Sequence, residues 1–393
     1  MSAPVRSGIR SIQIPQAKLT PQGEGGKDLT VLVPTLALVA LGITMVFSAS
    51  IPMAGVRQSE DIYCYLKREL LFAGVGLVAM WGASRISMGW LYRRAAILLA
   101  LSTGLLVLVL FVGVRVNGAM SWLAIPGTGL RFQPSELAKL FLVIVAARYF
   151  ARFPEGLPNW RRALPPFLVV GGTAVLIAVE PDMGTAAVLV LSMFVFFHIA
   201  GTRFRHLVAA ATLGMVFCGV MILRHPYQLR RIASFFFREE LALSGGYQAT
   251  HALIAMGSGG LAGRGLCGSV EKYFYLPVAI TDSILAVIGE ELGMIATWSV
   301  LALFAWLVCR GIAIAGSASD RFSGLVAAGV TCVLGTQALV NVAATTAVVP
   351  STGVPLPFVS YGGSSLLMSL IGVGLLLNVS RSTRITRPEQ EGA

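Results

Sequence analysis

A single aspartate, Asp282, stands in the stretch Tyr275-Leu-Pro-Val-Ala-Ile-Thr-Asp-Ser-Ile-Leu-Ala-Val-Ile-Gly-Glu-Glu-Leu-Gly293, at the start of a long apolar run. Ionisable groups inside or at the edge of a membrane are costly, and they mark pathways or reactive sites. A carboxylate in a water-poor cleft suits general-base work, because burial raises its pKa and nearby cations lower it. Proton abstraction by a positioned base is worth about 10²–10⁴ in rate. The bland alternative is that Asp282, beside Thr281, caps the helix that follows.

Other polar groups accompany it. In Gln133-Pro-Ser-Glu-Leu-Ala-Lys139, Pro134 fits a helix start, and Ser135 or Gln133 can cap it. Glu136 and Lys139 are three apart and share a helix face. Either they neutralise each other within the membrane, or they line a cavity where Lys139 meets a phosphate. Asp182, in Glu180-Pro-Asp-Met-Gly-Thr-Ala186, reads first as a helix cap and second as a chemical group. Arg224, Arg230, Arg231 and Arg238 fall in one long loop. Arginine pairs with phosphate oxygens in bidentate geometry, which suits a diphosphate or an anionic head group. Simple attraction to anionic membrane lipid explains the same charges.

The segment 350–365 carries three prolines and three glycines. Prolines stiffen such a loop and glycines admit close approach, so Ser360 and Tyr361 are candidate substrate contacts. Gly257-Ser-Gly-Gly260, with Gly263 and Gly265, has no preceding strand and does not make a dinucleotide site. His225 and His251 lack partners at metal spacing. No metal site and no cofactor are indicated by this spacing, which leaves a divalent cation open without pointing to one.

These groups need a scaffold. The chain of 393 residues is 56% hydrophobic and 12% charged, with mean hydropathy +0.78. A soluble domain carries roughly 25% charged residues, so the composition implies an all-α polytopic membrane protein. About 20 apolar residues cross the hydrocarbon core. Ten spans are expected, at 30–51, 70–84, 95–114, 137–150, 164–179, 185–201, 207–223, 284–308, 323–349 and 364–379. The first contains a cleavage-like Ser48-Ala-Ser50, but it is longer than a signal-peptide core and reads as a retained helix. Glu290 and Glu291 interrupt the eighth, where a re-entrant start is expected because polar groups are tolerated beside a cavity.

Residues 1–29 read as a polar, disordered tail, 30–380 as the membrane domain and 381–393 as a second tail. With ten spans both termini share a side. Of the 30 lysines and arginines, 18 fall in the loops and tails of that side, which makes it cytoplasmic by the positive-inside rule. The net charge of +12 thus reflects orientation and not nucleic-acid binding. The long loop, about 224–282, lies outside with Asp282 at its end. Cys64 and Cys267 fall in loops on that outer side, where a disulfide can form.

Together these pieces resemble the SEDS family of FtsW, RodA and SpoVE proteins. The matching segments are Ser48-Ala-Ser50, Gln133-Pro-Ser-Glu136 with Lys139, Pro181-Asp-Met-Gly-Thr-Ala186, Arg230-Arg-Ile232, Gly246-Tyr-Gln248 and Ala255-Met-Gly-Ser-Gly-Gly260. They continue through Tyr275-Leu-Pro277, Thr281-Asp282, Ile288-Gly-Glu-Glu-Leu-Gly293 and 352–365. The link 265–272 and the Gly-Gly-Ser-Ser ending resemble the FtsW and SpoVE branches more than RodA.

The resemblance implies a peptidoglycan glycosyltransferase that polymerises lipid II at the outer face of the plasma membrane during cell division. Its partners would be lipid II, a class B penicillin-binding protein and other division proteins. Asp282 falls on the family's essential aspartate, as general base on the acceptor hydroxyl. Glu136, Lys139, Asp182, Arg230 and Arg231 would serve the substrate. A lipid II transporter and a non-catalytic division scaffold are the rival readings.

The chain departs from the family pattern at Val278 and Ile280, where Glu and His are usual, at Ser121 and at His251. Apolar neighbours at 278 and 280 predict a raised pKa for Asp282 and an activity that falls off at a higher pH on acidification.

Overall fold

The structure is a computed structural model. It describes residues 28–56, 63–116, 119–124, 127, 130–154, 157, 159–224, 229, 233, 235–236, 247–273 and 275–382. Of the expected tails 1–29 and 381–393, residues 1–27 and 383–393 lie outside them, as do Arg230, Arg231, Arg238 and His225.

Ten helices match the ten expected spans. They are α1 (Leu29–Val56), α2 (Cys64–Ala83), α3 (Met88–Val112), α4 (Pro134–Ala151), α5 (Trp160–Val179), α6 (Met183–Ile199), α7 (Phe204–Arg224), α9 (Ile284–Ser317), α10 (Arg321–Thr345) and α11 (Gly363–Arg381). Within the expected long loop the described residues include a helix, α8 (Tyr247–Ser258). Six of the helices are long and apolar enough to cross a membrane, and α6 is a shorter apolar one. Several begin before the apolar run does. α2 opens with Lys67, Arg68 and Glu69, whose side chains break the run but not the backbone ladder.

Burial sorts the helices into a centre and a rim. In α10 and α11, 67% and 72% of the apolar window is buried, against 28% in α3 and α9. Phe111, Leu213 and Ile295 stay exposed on the rim. In lipid such side chains need no protein partner, since the hydrocarbon is as apolar as they are. α11 packs on α2 and on α10, and α10 packs on α4, α6 and α9.

The described parts of the loops between α3 and α4, α5 and α6, and α10 and α11 lie at the same end of the bundle as the start of α9, joined by Met120 N to the Glu180 carbonyl, Gln133 N to Ser364 Oγ and Tyr361 N to the Ile280 carbonyl. A three-stranded antiparallel sheet lies there: β1 (Val114–Val116), β2 (Ala119–Ala124) and β3 (Arg131–Phe132). Met120 N and Ser121 Oγ both donate to the carbonyl of Glu180, at 3.2 Å each. This seats the sheet on the α5–α6 turn. At the opposite end, Arg310 donates through Nε and Nη2 to Asp28, at 3.2 and 2.8 Å. There Arg381 also reaches the carbonyl of Ser84. The first and last described helix ends therefore share that end, as ten crossings require.

The cysteines do not pair. Cys64 and Cys267 are both free, and Cys64 is the first residue of α2 instead of a loop position.

α9 is not one straight helix. Gly293 sits at φ 79°, a left-handed value that L side chains rarely adopt. A Cβ there would overlap Gly263 N and Leu261 O. The first part of α9, up to Leu292, is thus offset from the remainder, and loop backbone packs into the offset. Glu290 and Glu291 lie in this first part and are fully buried.

Candidate active site

The buried glutamates explain how the loop before Asp282 is held. Glu291 pairs with Lys272 Nζ at 2.7 Å and accepts from Ser48 Oγ at 2.7 Å and Cys267 N at 3.0 Å. Glu290 accepts from Val270 N at 2.9 Å and meets Arg264 Nη1 at 3.2 Å. Buried charges persist when they are paired and fully hydrogen-bonded. Here the loop's own backbone supplies the donors, so residues 264–272 wrap the start of α9.

The chain then runs through a turn to Asp282. Thr281 N donates to the carbonyl of Val278 at 3.0 Å. Val278 has φ 50°, an unusual value for a β-branched residue. The carbonyl of Ile280 accepts from Tyr361 N at 2.9 Å, which joins this turn to the α10–α11 loop. The carbonyl of Asp282 accepts from Asn341 Nδ2 at 2.9 Å and Thr345 Oγ1 at 3.4 Å, both on α10. Its carboxylate accepts from Gln248 Nε2 and from Thr281 Oγ1, each at 3.1 Å. The N-cap of α9 is Ser283.

The Asp282 side chain lines a cleft of about 290 Å³, counted out to its open mouth, with Gln248, Ser283, Asn341, Thr345 and Thr352. Amide and hydroxyl groups surround a carboxylate on the wall of this open cleft. Such a set can hold an acceptor hydroxyl and take up its proton.

A polar ladder continues from this cleft along α10. Asn341 also donates to the carbonyl of Val354, at 2.8 Å. One turn back, Gln337 Nε2 donates to the carbonyl of Pro355 at 3.0 Å and to Ser365 Oγ at 3.2 Å. Its Oε1 accepts from Lys139 Nζ at 2.6 Å. Lys139 also pairs with Glu136 at 2.8 Å, and both are buried. Glu136 and Lys139 thus form a closed internal pair in the wall behind the cleft.

Asp182 caps α6, accepting from Thr185 N at 3.1 Å, and also accepts from Gln133 Nε2 at 2.8 Å. Burial raises its carboxyl above the usual range, against the lowering effect of its bonds to Thr185. Glu180 beside it is fully buried, and neither carboxylate oxygen has a hydrogen-bond partner among the described residues. Burial first, and the Asp182 charge second, push Glu180 up to about 8.

Ser360 Oγ accepts from Leu356 N at 2.8 Å and shapes its own loop. The Tyr361 ring stacks edge-on against Tyr65 of α2 at 5.3 Å. Burial raises its hydroxyl pKa, while Arg68 lowers it.

The structure therefore joins Asp282 to the 350–365 loop and, through α10, to Glu136 and Lys139. Three cleft or ladder residues, Gln248, Gln337 and Asn341, were not singled out as site residues from the sequence. The signal for two of them is present, since Gln337, Asn341 and Thr345 recur every four residues in an apolar helix and share one face. Among the described residues, no group of three or more His, Cys, Asp or Glu side chains could hold a metal.

Known proteins share this architecture. Stage V sporulation protein E of Bacillus subtilis is 38% identical over 361 residues, 91% of this chain and 98% of that protein. The probable peptidoglycan glycosyltransferase FtsW of Halomonas elongata is 38% identical over 370 residues, 93% of each. The crystal structure of the Thermus thermophilus rod shape determining protein RodA matches with TM-score 0.64 at 30% identity, covering 91% of this chain and 98% of that one. A chain from a structure described as the structural coordination of polymerization and crosslinking by a peptidoglycan synthase complex matches with TM-score 0.73 at 27% identity, with the same coverage. A family model for FtsW, RodA and SpoVE, described as cell cycle proteins, matches residues 29–385, and the chain belongs to that family.

Proposed function

We propose that this protein is a peptidoglycan glycosyltransferase that polymerises lipid II into glycan strands at the outer face of the plasma membrane. The observation that carries the reading is the Asp282 carboxylate on the wall of a cleft beside Gln248, Asn341 and Thr345, with its backbone carbonyl held by Asn341. Asp282 takes the proton from the acceptor sugar 4-hydroxyl. The freed oxygen attacks the anomeric carbon of the donor with inversion. The bond from that carbon to the diphosphate oxygen breaks, and undecaprenyl diphosphate leaves with the electron pair. Arg230 and Arg231 are assigned to the diphosphate by their place in the sequence. Glu136, Lys139 and Asp182 act from behind, by holding α4, α6 and α10 in register.

The names of the relatives support this assignment, and the neighbour from a peptidoglycan synthase complex of polymerization and crosslinking supports work beside a crosslinking partner, which we assign to a class B penicillin-binding protein. The division septum is the proposed location. Purified protein with lipid II and a partner transpeptidase, read on a gel for glycan strands, tests the reading. Asp282→Asn is expected to make no strands while eluting as the wild type does. Strands from both proteins would overturn the assignment.

A further inference from the structure

His251 lies on α8, one turn beyond Gln248. Its Nδ1 is 2.6 Å from Glu271 Oε2, and both side chains are mostly buried. The imidazole packs between two phenol rings, with centroids 4.1 Å from Tyr247 and 6.1 Å from Tyr275. Glu271 belongs to the wrapped loop, since its backbone N donates to Glu290 Oε2 at 3.3 Å. The bond between His251 and Glu271 therefore ties α8 to a loop that is itself fixed to α9. On the same helix, Gln248 Nε2 donates to Asp282 Oδ2 and Ser283 Oγ, each at 3.1 Å. α8 has only twelve residues and packs mainly on α9. A helix this short is marginal by itself, so tertiary ties set its position.

We propose that His251 is a positioning residue for Asp282: its bond to Glu271 sets the height of α8 so that the Gln248 amide meets the Asp282 carboxylate. The proposal rests on Asp282 being the base. The groups facing His251 are Glu271 and Tyr275 from the loop and Tyr247 from its own helix. Behind Glu271 stand Glu290 with Arg264, and Glu291 with Lys272. Among the described residues, Gln248 and Thr281 donate to the Asp282 carboxylate, and Asn341 and Thr345 to its backbone carbonyl. A hydrogen bond donated to a carboxylate favours its ionised form. Without the tie α8 shifts, the amide leaves the carboxylate, and Asp282 takes up its proton at a higher pH.

The test is the pH–rate profile of lipid II polymerisation by the full chain with its partner transpeptidase. His251→Ala and Gln248→Ala are each expected to move the acid limb up by about one pH unit, close to a tenfold loss at the acidic end. The double variant moves it no further than Gln248→Ala alone, because both act through one bond. His251→Gln, which keeps a donor towards Glu271, is expected to restore the limb. Should His251→Ala not fold, Glu271→Ala breaks the same tie from the loop side and is read in the same way.

A rate that drops at every pH with an unmoved limb would overturn the proposal, as would shifts that add in the double variant. Asp282→Asn separates the two claims. If it stays active, the base assignment fails. If it is silent and the His251→Ala limb is unmoved, this inference alone fails.

Discussion

Asn341 donates from a single amide nitrogen to two carbonyls, that of Asp282 at 2.9 Å and that of Val354 at 2.8 Å. One α10 side chain thus joins the segment carrying the carboxylate to the loop on the other side of the cleft. Neither loop has a regular backbone ladder here, so their spacing rests on this bridge together with the bond from Tyr361 N to the Ile280 carbonyl.

The first prediction concerns that bridge. Asn341→Leu takes this donor from the Val354 carbonyl and leaves the Asp282 carbonyl only Thr345 Oγ1 at 3.4 Å, with a cost of roughly 1–3 kcal/mol for a buried unsatisfied group. Polymerisation should fall at least tenfold, and the thermal midpoint in detergent should drop. A variant with wild-type rate and midpoint would show that the loops are held by other contacts.

The second concerns Glu136 and Lys139. Removing one partner strands the other as an uncompensated buried charge, a loss of about 3–5 kcal/mol. Lys139→Met should therefore unfold at a clearly lower temperature. Adding Glu136→Gln should recover much of the loss, since the second charge is then gone. If Lys139 instead met a substrate phosphate, the double variant would regain stability but bind lipid II more weakly. Thermal midpoints and KM for lipid II decide between these.

The third follows from Glu180. Its folded pKa is about 8, above the ordinary value of 4.5. The folded state therefore keeps a proton that the unfolded state releases between these values. The stability it contributes is fully present below about pH 4.5 and is lost as pH rises through 8, with a slope of up to 1.4 kcal/mol per pH unit, an approximate single-proton limit. Glu180→Gln should flatten this slope. Thermal midpoints of both proteins at pH 5, 6, 7 and 8 measure it (these are chosen assay points across roughly that window). Parallel curves would remove Glu180 as the cause.

The fourth concerns the break in α9. Gly293→Ala places a methyl group against the backbone at Gly263 and Leu261, in a left-handed conformation. Backbone cannot yield as a flexible side chain does, and the φ adds about 1–3 kcal/mol of strain. The variant should be recovered in much lower yield, with a lower midpoint. Normal yield and midpoint would mean that the break relaxes without loss.

The ten spans are legible because a bilayer demands long apolar runs, and each run here became a helix. Their ends are less so: in α2, Lys67, Arg68 and Glu69 interrupt the hydropathy without ending the helix. The sheet at 114–132 and helix α8 are too short to stand out by periodicity. Asp282 is visible as a lone carboxylate beside an apolar run. Gln248 stands in a matching segment, Gly246-Tyr-Gln248, but nothing in one amide of a loop-like stretch places it against Asp282. Asn341 and Gln337 look like ordinary polar residues within a span until α10 turns them to one face. The pairing of Glu290 and Glu291 with backbone donors 20 and 22 residues away depends on the offset at Gly293, which hydropathy does not record.

That offset bears on how the protein is made. A glutamate at the centre of an isolated helix opposes insertion by the translocon by about 2.5–3.5 kcal/mol. The piece carrying Glu290 and Glu291 is thus a poor candidate to enter lipid by itself as the chain emerges. Its neutralising partners come from residues 264–272 and from Ser48 of α1. Biogenesis would then seat the first part of α9, which follows Asp282, late and against helices already in the bilayer, and the order of assembly would follow the order in which those charges find their partners.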